Sequence, residues 1–296
     1  MKANIAGDKG HSAAIISKPA KPELSRIAPE LSEWLRSRDY NVIIDPETAA
    51  YMPNGTAEVV AREDIAKRGP EFAVVLGGDG TLLSAARAVA SAGIPVLGIN
   101  LGSLGFLTEV PVDELYSTLE AITEGRCSVE SRAMLHCRLE RGGKCIAEHR
   151  ALNDVVVNKS AIARLANFDL HIDQVFVSNY KADGLIVSTP TGSTAYSLAA
   201  GGPILVPSVE AFVITPVSPH ALTHRALVVR DTSEIVIENK SGAEEEAFLS
   251  IDGQIGMPVL NGDLVRCRKC EYRVKLLRMR KTFFEVLRTK LKWGQR

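Results

Sequence analysis

The chain has 296 residues, with 35 Lys and Arg balanced by 35 Asp and Glu and an aromatic fraction of 5%. At roughly 100–200 residues per domain, this length predicts two domains or one large domain. The neutral charge argues against a general nucleic-acid or membrane-surface binder, because such proteins bind through excess positive charge.

The first part of the chain alternates short apolar segments with helical patterns. Leu24, Ile27, Leu31 and Leu35 recur at helical spacing. Strands separated by helices require crossover connections, so the pattern predicts an α/β domain whose parallel sheet carries helices on both faces. The predicted strands are residues 13–17, 41–45, 72–76 and 95–99, and the predicted helices are residues 24–35, 57–67, 81–92 and 112–124.

The pattern changes near Cys127, and almost every later segment up to Met279 has the character of a strand. Many short strands separated by turn residues indicate an all-β domain that resembles a sandwich or barrel. The predicted strands are residues 134–140, 145–149, 154–158, 168–172, 176–179, 185–188, 211–215, 227–229, 234–238, 247–251, 264–267 and 272–277.

The end of the chain is helical and basic. Residues 282–293 place Phe283, Val286, Leu287 and Leu291 on one helical face, which predicts a helix that returns to the α/β domain. Residues 266–296 hold twelve Lys and Arg against two Glu, a net charge of +10 on a body of −10. This tail is interpreted as a solvated strand and helix on an acidic body, with a surface for an anionic ligand as the alternative. The expected domains are residues 1–127 with 280–296, and residues 128–279.

A glycine-rich turn carries the first candidate site. Gly77-Gly78-Asp79-Gly80-Thr81 follows a predicted strand and opens a helix. The glycines allow a close approach of the backbone to a ligand, and a helix N-terminus favours phosphate. Asp79 would repel a phosphate unless it holds a metal ion or accepts a proton from a hydroxyl. The alternative is a tight turn with Asp79 as the helix N-cap.

Two further segments carry polar groups suited to a ligand. Asn153-Asp154 opens a strand and offers an amide beside a carboxylate, which suits a ribose diol or a base edge, although a simple turn gives the same pattern. Residues 181–196 read KADGLIVSTPTGSTAY, in which a strand leads into a loop rich in hydroxyl groups and then into a short helix. Such a loop offers many hydrogen bonds to a polar ligand, or it is only a well-capped loop.

Taken together, these segments resemble the motifs of the NAD kinase family. Residues 77–81 are similar to its GGDG motif, Asn153-Asp154 to its Asn-Asp/Glu pair, and residues 183–203 to its DGL…TPTGSTAY…GGP signature. Ser218-Pro219-His220 and Asp252-Gly253-Gln254 also resemble family motifs. The GGDG loop alone is ambiguous, because lipid kinases and phosphofructokinases carry related loops, whereas the TPTGSTAY segment is much more specific.

The resemblance implies transfer of the γ-phosphoryl group of ATP to the 2′-hydroxyl of the adenosine ribose in NAD, with NADP as the product. In that reaction Asp79 would accept the proton of the hydroxyl, and a divalent cation, Mg or Mn, would neutralise phosphate charge. Many relatives have Arg where this chain has Lys181, which keeps the charge but loses the planar fork. The residues that the resemblance places at the nucleotides are Asp79, Gly80, Asn153, Asp154, Arg164, Lys181, Asp183, Thr194, Ala195, Tyr196, Ser197, Leu198, Ala199 and Gln254.

The expected partners are therefore the small molecules NAD and ATP, and the chain is expected to form a homo-oligomer. No signal peptide, membrane span or nucleic-acid surface is predicted, and five scattered cysteines suit a reducing cytoplasm. Two alternatives stay open: a lipid or sugar kinase that uses the same glycine loop, and a sensor that binds NAD(P) without turnover. A sensor needs no base, so Asp79 argues against the second.

Overall fold

A computed structural model gives the structure of the chain and describes residues 10–53, 55–102, 104–159, 166–242, 247–279 and 282–293. The chain forms two compact units. The first unit contains Met1–Ser131 and Val274–Arg296, and the second contains Arg132–Arg273. The chain thus leaves the first unit once and returns to it near the C-terminus.

The chain forms twenty β-strands and seven α-helices in its described residues. The first segment contains β1 (Ser12–Ser17), α1 (Leu24–Arg36), β2 (Asn41–Ile44), α2 (Pro46–Ala49), β3 (Glu58–Val59), α3 (Ile65–Arg68), β4 (Phe72–Gly77), α4 (Asp79–Val89), β5 (Val96–Asn100), β6 (Val110–Pro111), α5 (Leu115–Thr123) and β7 (Ser128–Arg132). The middle segment contains β8 (Leu135–Arg141), β9 (Lys144–Ala151), β10 (Asp154–Lys159), β11 (Ala166–Ile172), β12 (Val175–Ala182), β13 (Gly184–Ser188), α6 (Tyr196–Ala199), β14 (Ala211–Val217), β15 (Leu227–Arg230), β16 (Ile235–Asn239), β17 (Ala247–Ile251), β18 (Ile255–Val259) and β19 (Leu264–Lys269). The last segment contains β20 (Val274–Arg278) and α7 (Phe283–Leu291).

The first unit is built on an eight-stranded sheet. Its order is β3-β2-β1-β4-β5-β20-β7, and β6 pairs with β5. The pairs among β1 to β6 are parallel, as is that of β20 with β5. Strands β1 and β4 are buried almost throughout, and α1 packs Leu24, Leu31 and Leu35 into the core of this unit. Apolar strands with amphipathic helices therefore produce the predicted α/β domain.

The second unit contains two six-stranded sheets, with the orders β15-β14-β13-β10-β17-β18 and β12-β11-β16-β19-β8-β9. All of the pairs recorded in these sheets are antiparallel. Val155 and Val157 of β10 share one core with Phe168 of β11 and Leu139 of β8. The predicted fold class is confirmed, with an α/β unit, an antiparallel β unit and a C-terminal helix.

Two local predictions were wrong. A helix was predicted over residues 57–67, but Glu58 and Val59 form β3 against Ile43 and Ile44 of β2, and α3 is a single turn that ends at Gly69 with φ of 65°. The open edge of β2 outweighs a weak helical pattern there.

The predicted strand over residues 272–277 was assigned to the β domain. Leu276 instead pairs with Val96 of β5 in the parallel sheet, where Val274, Leu276 and Leu277 are buried. Strands β6, β7 and β18 were not predicted. In the described part of the chain, no helix is both long and apolar enough to cross a membrane.

Candidate functional site

The first site begins where β4 ends. Strand β4 is buried along its whole length, and the chain turns at Gly78, the N-cap of α4. A Cβ at Gly77 would lie 2.5 Å from Oγ1 of Thr81, so the turn depends on glycine at this position. Asp79 is the first residue of α4 and not its cap, so the N-cap alternative was wrong. Its side chain is free to point away from its own helix.

The carboxylate of Asp79 is held by the segment between β5 and β6. Oδ1 accepts the backbone N–H groups of Leu107 at 3.1 Å and Thr108 at 2.9 Å, and also the Thr108 hydroxyl at 2.9 Å. Oδ2 accepts the N–H of Phe106 at 2.8 Å. A carboxylate has about four acceptor positions, shared between its two oxygens. Oδ1 is therefore saturated, whereas Oδ2 retains capacity for another donor.

We call residues 105–108 the collar of Asp79. A Cβ at Gly105 would lie 2.0 Å from Oδ1 of Asp79, so only glycine lets the collar close on the carboxylate. Asn100, at the end of β5, anchors the collar: its Nδ2 donates to the Thr108 carbonyl at 3.3 Å, and its Oδ1 accepts the Gly102 N–H at 2.6 Å. The position of Asp79 is thus set by a loop more than twenty residues away.

The second site lies in the antiparallel unit and is a cavity of about 320 Å³. Because Val155 and Val157 of β10 face the core, Asp154, Val156 and Asn158 lie on the opposite face of the sheet. The lining residues are Asn153, Asp154, Val156, Asn158, Ala195, Tyr196, Ser250, Asp252 and Gly253.

Asp252 organises the start of β10. Its Oδ1 accepts the N–H of Asn153 at 2.8 Å and of Asp154 at 3.2 Å, and its Oδ2 accepts the N–H of Leu152 at 3.1 Å. Its own N–H donates to the Asp154 carbonyl at 2.9 Å. Asp252 has a φ of 50°, in the left-handed region that a non-glycine residue seldom adopts. One carboxylate therefore fixes the backbone that presents Asn153 and Asp154 to the cavity.

Asp154 has an unusual electrostatic environment. Its side chain is buried, with 4% of its surface exposed. Burial, and then the neighbouring carboxylate of Asp252, raises the pKa of Asp154 to about 7. Removal from water penalises the charged form, and a second negative charge penalises it further. Near neutral pH Asp154 is therefore divided between a carboxylic acid that can donate a hydrogen bond and a carboxylate that only accepts.

The loop after β13 is tied to the same backbone. The Thr189 N–H donates to the Asn153 carbonyl at 2.9 Å, and the Thr189 hydroxyl donates to the Leu152 carbonyl at 2.6 Å. A Cβ at Gly192 would lie 2.1 Å from the Asn153 carbonyl oxygen. The TPTGSTAY segment and the Asn153-Asp154 pair thus form one structural group, which delivers Ala195 and Tyr196 to the cavity.

Comparison with family models matches both halves of the chain. Residues 13–127 match the ATP-NAD kinase N-terminal domain, and residues 152–279 match the ATP-NAD kinase C-terminal domain. The chain belongs to the NAD kinase family. The resemblance found in the sequence motifs is therefore confirmed.

Individual relatives support the same assignment along the full chain. An NAD kinase of Koribacter versatilis is 60% identical over 283 residues, which cover 96% of this chain and 98% of the relative. An NAD kinase of Geobacter sulfurreducens is 46% identical, with 96% and 99% covered. The yeast NADH kinase complexed with NADH is 27% identical with a TM-score of 0.88, with 97% of this chain and 88% of that chain covered. An NAD kinase from Archaeoglobus fulgidus in complex with ATP is 25% identical with a TM-score of 0.73, with 93% and 98% covered.

Of the residues predicted from the motifs, four line the cavity: Asn153, Asp154, Ala195 and Tyr196. Asp79 and Gly80 lie in the first unit, at the start of α4. Arg164 falls outside the described residues.

The other predicted residues lie in the second unit but do not line the cavity. The Asp183 carboxylate is 2.6 Å from Nζ of Lys159, and Lys181 is exposed on β12. Buried Ser197 shares a hydrogen bond of 2.8 Å with the Thr215 hydroxyl, and Thr194 donates to the Thr191 carbonyl at 3.1 Å. Leu198 and Ala199 belong to α6, and Gln254 is exposed.

Five lining residues were not predicted as site residues from the sequence: Val156, Asn158, Ser250, Asp252 and Gly253. Strand periodicity could have identified two of them. Val156 and Asn158 follow Asp154 at intervals of two residues, so the three side chains lie on the same face of the sheet. Asp252 lay within a recognised motif, but its role depends on the pairing of β17 with β10, in which Val155 lies opposite Ile251.

The described residues do not form a metal cage of their own. Across these parts of the chain, no group of three or more His, Cys, Asp and Glu side chains is arranged to hold a metal ion. Mg²⁺ in kinases is usually held by one or two carboxylates together with substrate phosphates.

Proposed function

We propose that the chain is an NAD kinase, which transfers the γ-phosphoryl group of ATP to the 2′-hydroxyl of the adenosine ribose of NAD and yields NADP and ADP. The observation that carries this proposal is the 60% identity to an NAD kinase over nearly the whole chain. The two solved relatives bind NADH in one case and ATP in the other. The proposed substrates belong to the same two classes of small molecule.

Asp79 is proposed as the group that accepts the proton. In the transfer, the 2′-oxygen forms a bond to the γ-phosphorus, the bond from this phosphorus to ADP breaks, and the hydroxyl proton passes to a base. Oδ2 of Asp79 suits this role, because it accepts only one N–H from the collar. The collar fixes the carboxylate before the substrate arrives, so little reorganisation is needed during the reaction.

The glycine turn beside Asp79 is proposed to receive phosphate. Helix α4 has eleven residues and begins at Asp79, directly after Gly78. The positive end of its dipole lies at this glycine turn and favours an anion there. The divalent cation, Mg or Mn, would arrive with the nucleotide and neutralise part of its charge.

The cavity of the second unit is proposed to bind the dinucleotide. Asn153 and Asp154 offer polar groups at one end, and Tyr196 offers an aromatic surface that is 41% exposed. Among the described residues, Oδ1 of Asn158 is buried without a hydrogen-bond partner. A buried acceptor of this kind is costly unless a ligand donates to it. An amide or amino group of the dinucleotide would supply that donor.

The remaining assignments are carried by the family resemblance. Lys181, Asp183 and Gln254 are proposed to contact the dinucleotide, together with Arg164 and residues 194–199. A homo-oligomer in the cytoplasm is also proposed. The five cysteines are free thiols, which suits a reducing compartment.

A panel of acceptors tests the proposed function. Purified protein is incubated with ATP and Mg²⁺ and, in separate reactions, with NAD, NADH, diacylglycerol and fructose 6-phosphate. Formation of NADP and ADP in the NAD reaction is the expected result. Turnover of the lipid or the sugar in place of NAD would contradict the proposal.

A second arm separates a kinase from a sensor. NAD binding is measured by calorimetry, and turnover is measured with each phosphoryl donor, including polyphosphate. Binding of NAD without turnover with any of these donors would indicate that the chain is a sensor. Size-exclusion chromatography of the same sample measures the proposed oligomer.

A further inference from the structure

We infer that Arg278, at the end of β20, is a positioning residue that fixes Asp79 through Glu109 and the collar. The inference rests on the proposed role of Asp79 and adds a residue that lies in none of the recognised motifs. The guanidinium of Arg278 is 3.0 Å from the Glu109 carboxylate, and their side chains are 8% and 4% exposed. Glu109 directly follows Thr108, which gives Asp79 both an N–H and a hydroxyl donor.

The sheet explains why these two residues meet. Strand β4 pairs with β5 along its whole length, so β20 and β6 share the opposite edge of β5. Leu276 of β20 lies opposite Val96, and Val110 of β6 lies opposite Ile99. Both strands run parallel to β5, so β20 ends where β6 begins. Arg278 is the last residue of β20, and Glu109 directly precedes the first residue of β6.

Arg278 is itself held by β7. Its Nε lies 3.3 Å from the Glu130 carboxylate, and its backbone carbonyl accepts the Ser128 hydroxyl at 3.1 Å. A guanidinium that contacts two carboxylates, one on β7 and one just before β6, is fixed in direction, because its donors lie in one rigid plane. Arg278 therefore joins β7 and β20 to the residue that follows the collar.

Loss of this guanidinium would displace the collar. The Glu109 carboxylate would lose its ion pair with Arg278 in the interior, which favours movement of Glu109 toward water. Thr108 would move with it, and Oδ1 of Asp79 receives two of its three hydrogen bonds from Thr108. A displacement of about 1 Å in a catalytic group costs on the order of 100-fold in rate.

Arg278→Met and Arg278→Lys test this inference, with Arg266→Met as the matched control. Arg266 is less buried, with 23% of its side chain exposed, but it also has two carboxylate partners, Glu140 and Glu234. It lies in the second unit. For each protein, kcat and the KM for NAD and ATP are measured well below the melting temperature. Hydrogen exchange of the amides of residues 106–108 is measured in the absence of ligands, with β4 amides as the internal reference.

We expect Arg278→Met to lower kcat by about 10- to 100-fold with KM changed less than about 3-fold. The amides of residues 106–108 should exchange at least about 10-fold faster, while β4 amides stay protected. Arg278→Lys should fall between the parent and Arg278→Met, since lysine keeps the charge but not the fork. Arg266→Met should lower the melting temperature and leave kcat and the collar amides unchanged.

Two results would overturn the inference. One is unchanged exchange of the collar amides in Arg278→Met, which would make the ion pair purely structural. The other is the same loss of kcat in Arg266→Met, which would indicate a general effect of lower stability.

If Arg278→Met does not fold, the double variant Arg278→Met/Glu109→Gln removes both charges and should fold. It should still show faster collar exchange and lower kcat than the parent, because the ion pair that anchors residue 109 to β20 is absent. Parental values of both would refute the inference. If the parent shows no NAD phosphorylation, the proposed function fails, while the exchange of residues 106–108 still decides whether Arg278 holds the collar.

Discussion

Two aspartates in different units are held by similar hydrogen bonds with opposite consequences. Asp79 accepts N–H groups from residues 106–108, and Asp252 accepts them from residues 152–154. In the first unit the carboxylate is the proposed catalytic group, and the loop serves to hold it. In the second unit the carboxylate holds the backbone, which presents Asn153 and Asp154 to the cavity. The same local geometry fixes a side chain in one case and a stretch of chain in the other.

The surroundings of the two carboxylates explain the difference. Asp79 is followed by an exposed glycine at the start of a helix and keeps acceptor capacity on Oδ2. Asp252 is buried beside Asp154, and the two acids share one low-dielectric region. The first arrangement suits proton transfer to an incoming hydroxyl. The second suits a rigid support, whose charge adds to the effect of burial in raising the pKa of Asp154.

The largest effect is expected at Asp79. Asp79→Asn should lower kcat by about 10²- to 10⁴-fold, because an amide cannot accept the hydroxyl proton. The KM for NAD should change only a few-fold, since the cavity residues lie in the other unit. Steady-state kinetics with NAD and ATP measure both values. Turnover within a few-fold of the parent would mean that Asp79 is not the base.

The second effect concerns Asp154 and pH. Its pKa is about 7 in the folded chain, against about 3.9 in an unfolded chain. Between these values the folded state binds an extra proton, so this group makes the free energy of unfolding fall as pH rises from about 4 through about 7. Asp154→Asn lacks the titration. Its stability relative to the parent should therefore rise by about 1 to 3 kcal/mol between pH 5 and pH 8.

Urea unfolding of the parent and of Asp154→Asn across this pH range measures that difference. Parallel pH dependences of the two proteins would show that Asp154 does not titrate near neutrality. Asp252→Asn serves as a further comparison, because loss of the neighbouring charge should lower the pKa of Asp154.

A smaller effect is expected from Asp252→Asn on substrate binding. In this variant, the side-chain NH2 group of the introduced asparagine would face at least one of the three backbone N–H donors, so that hydrogen bond is lost. Each buried hydrogen bond that is lost costs about 1 to 3 kcal/mol. The KM for NAD should rise about 10-fold, and the KM for ATP should change less than about 3-fold. Asp263→Asn is the matched control, since buried Asp263 also accepts a backbone N–H, from Leu260, but does not line the cavity. If the KM values for NAD and ATP rose equally, Asp252 would not act on dinucleotide binding alone.

The smallest effect is expected at the C-terminal helix. Nζ of Lys290 donates to the Leu104 carbonyl at 2.6 Å, next to the collar, but this lysine is exposed. Exposed interactions of this type contribute about 0 to 1 kcal/mol. Lys290→Met should therefore change kcat less than about 3-fold. If Lys290→Met lowered kcat as much as is expected for Arg278→Met, α7 and not β20 would be the main support of the collar.

The motifs indicated both candidate sites, but not the contacts that complete them. Asp79, Asn153 and Tyr196 were identified from segments whose residue types suit phosphate or a polar ligand. The collar, Glu109 and Arg278 were not identified, because no local pattern relates a loop or a strand end to a carboxylate so far away in the chain. Asp252 lay within a recognised motif, yet its support of residues 152–154 depends on a strand pairing that the sequence does not display.

The sequence by itself determined the alternation of strands and helices, the change to an all-β region near Cys127, and the family to which the motifs belong. These features depend on residues a few positions apart, within reach of strand and helix periodicity. Only the tertiary structure decided that β20 joins the parallel sheet beside β5, and that Arg278 thereby reaches Glu109. Partners across such distances are chosen by the packing of the whole sheet, because buried polar groups must find one another wherever the chain brings them.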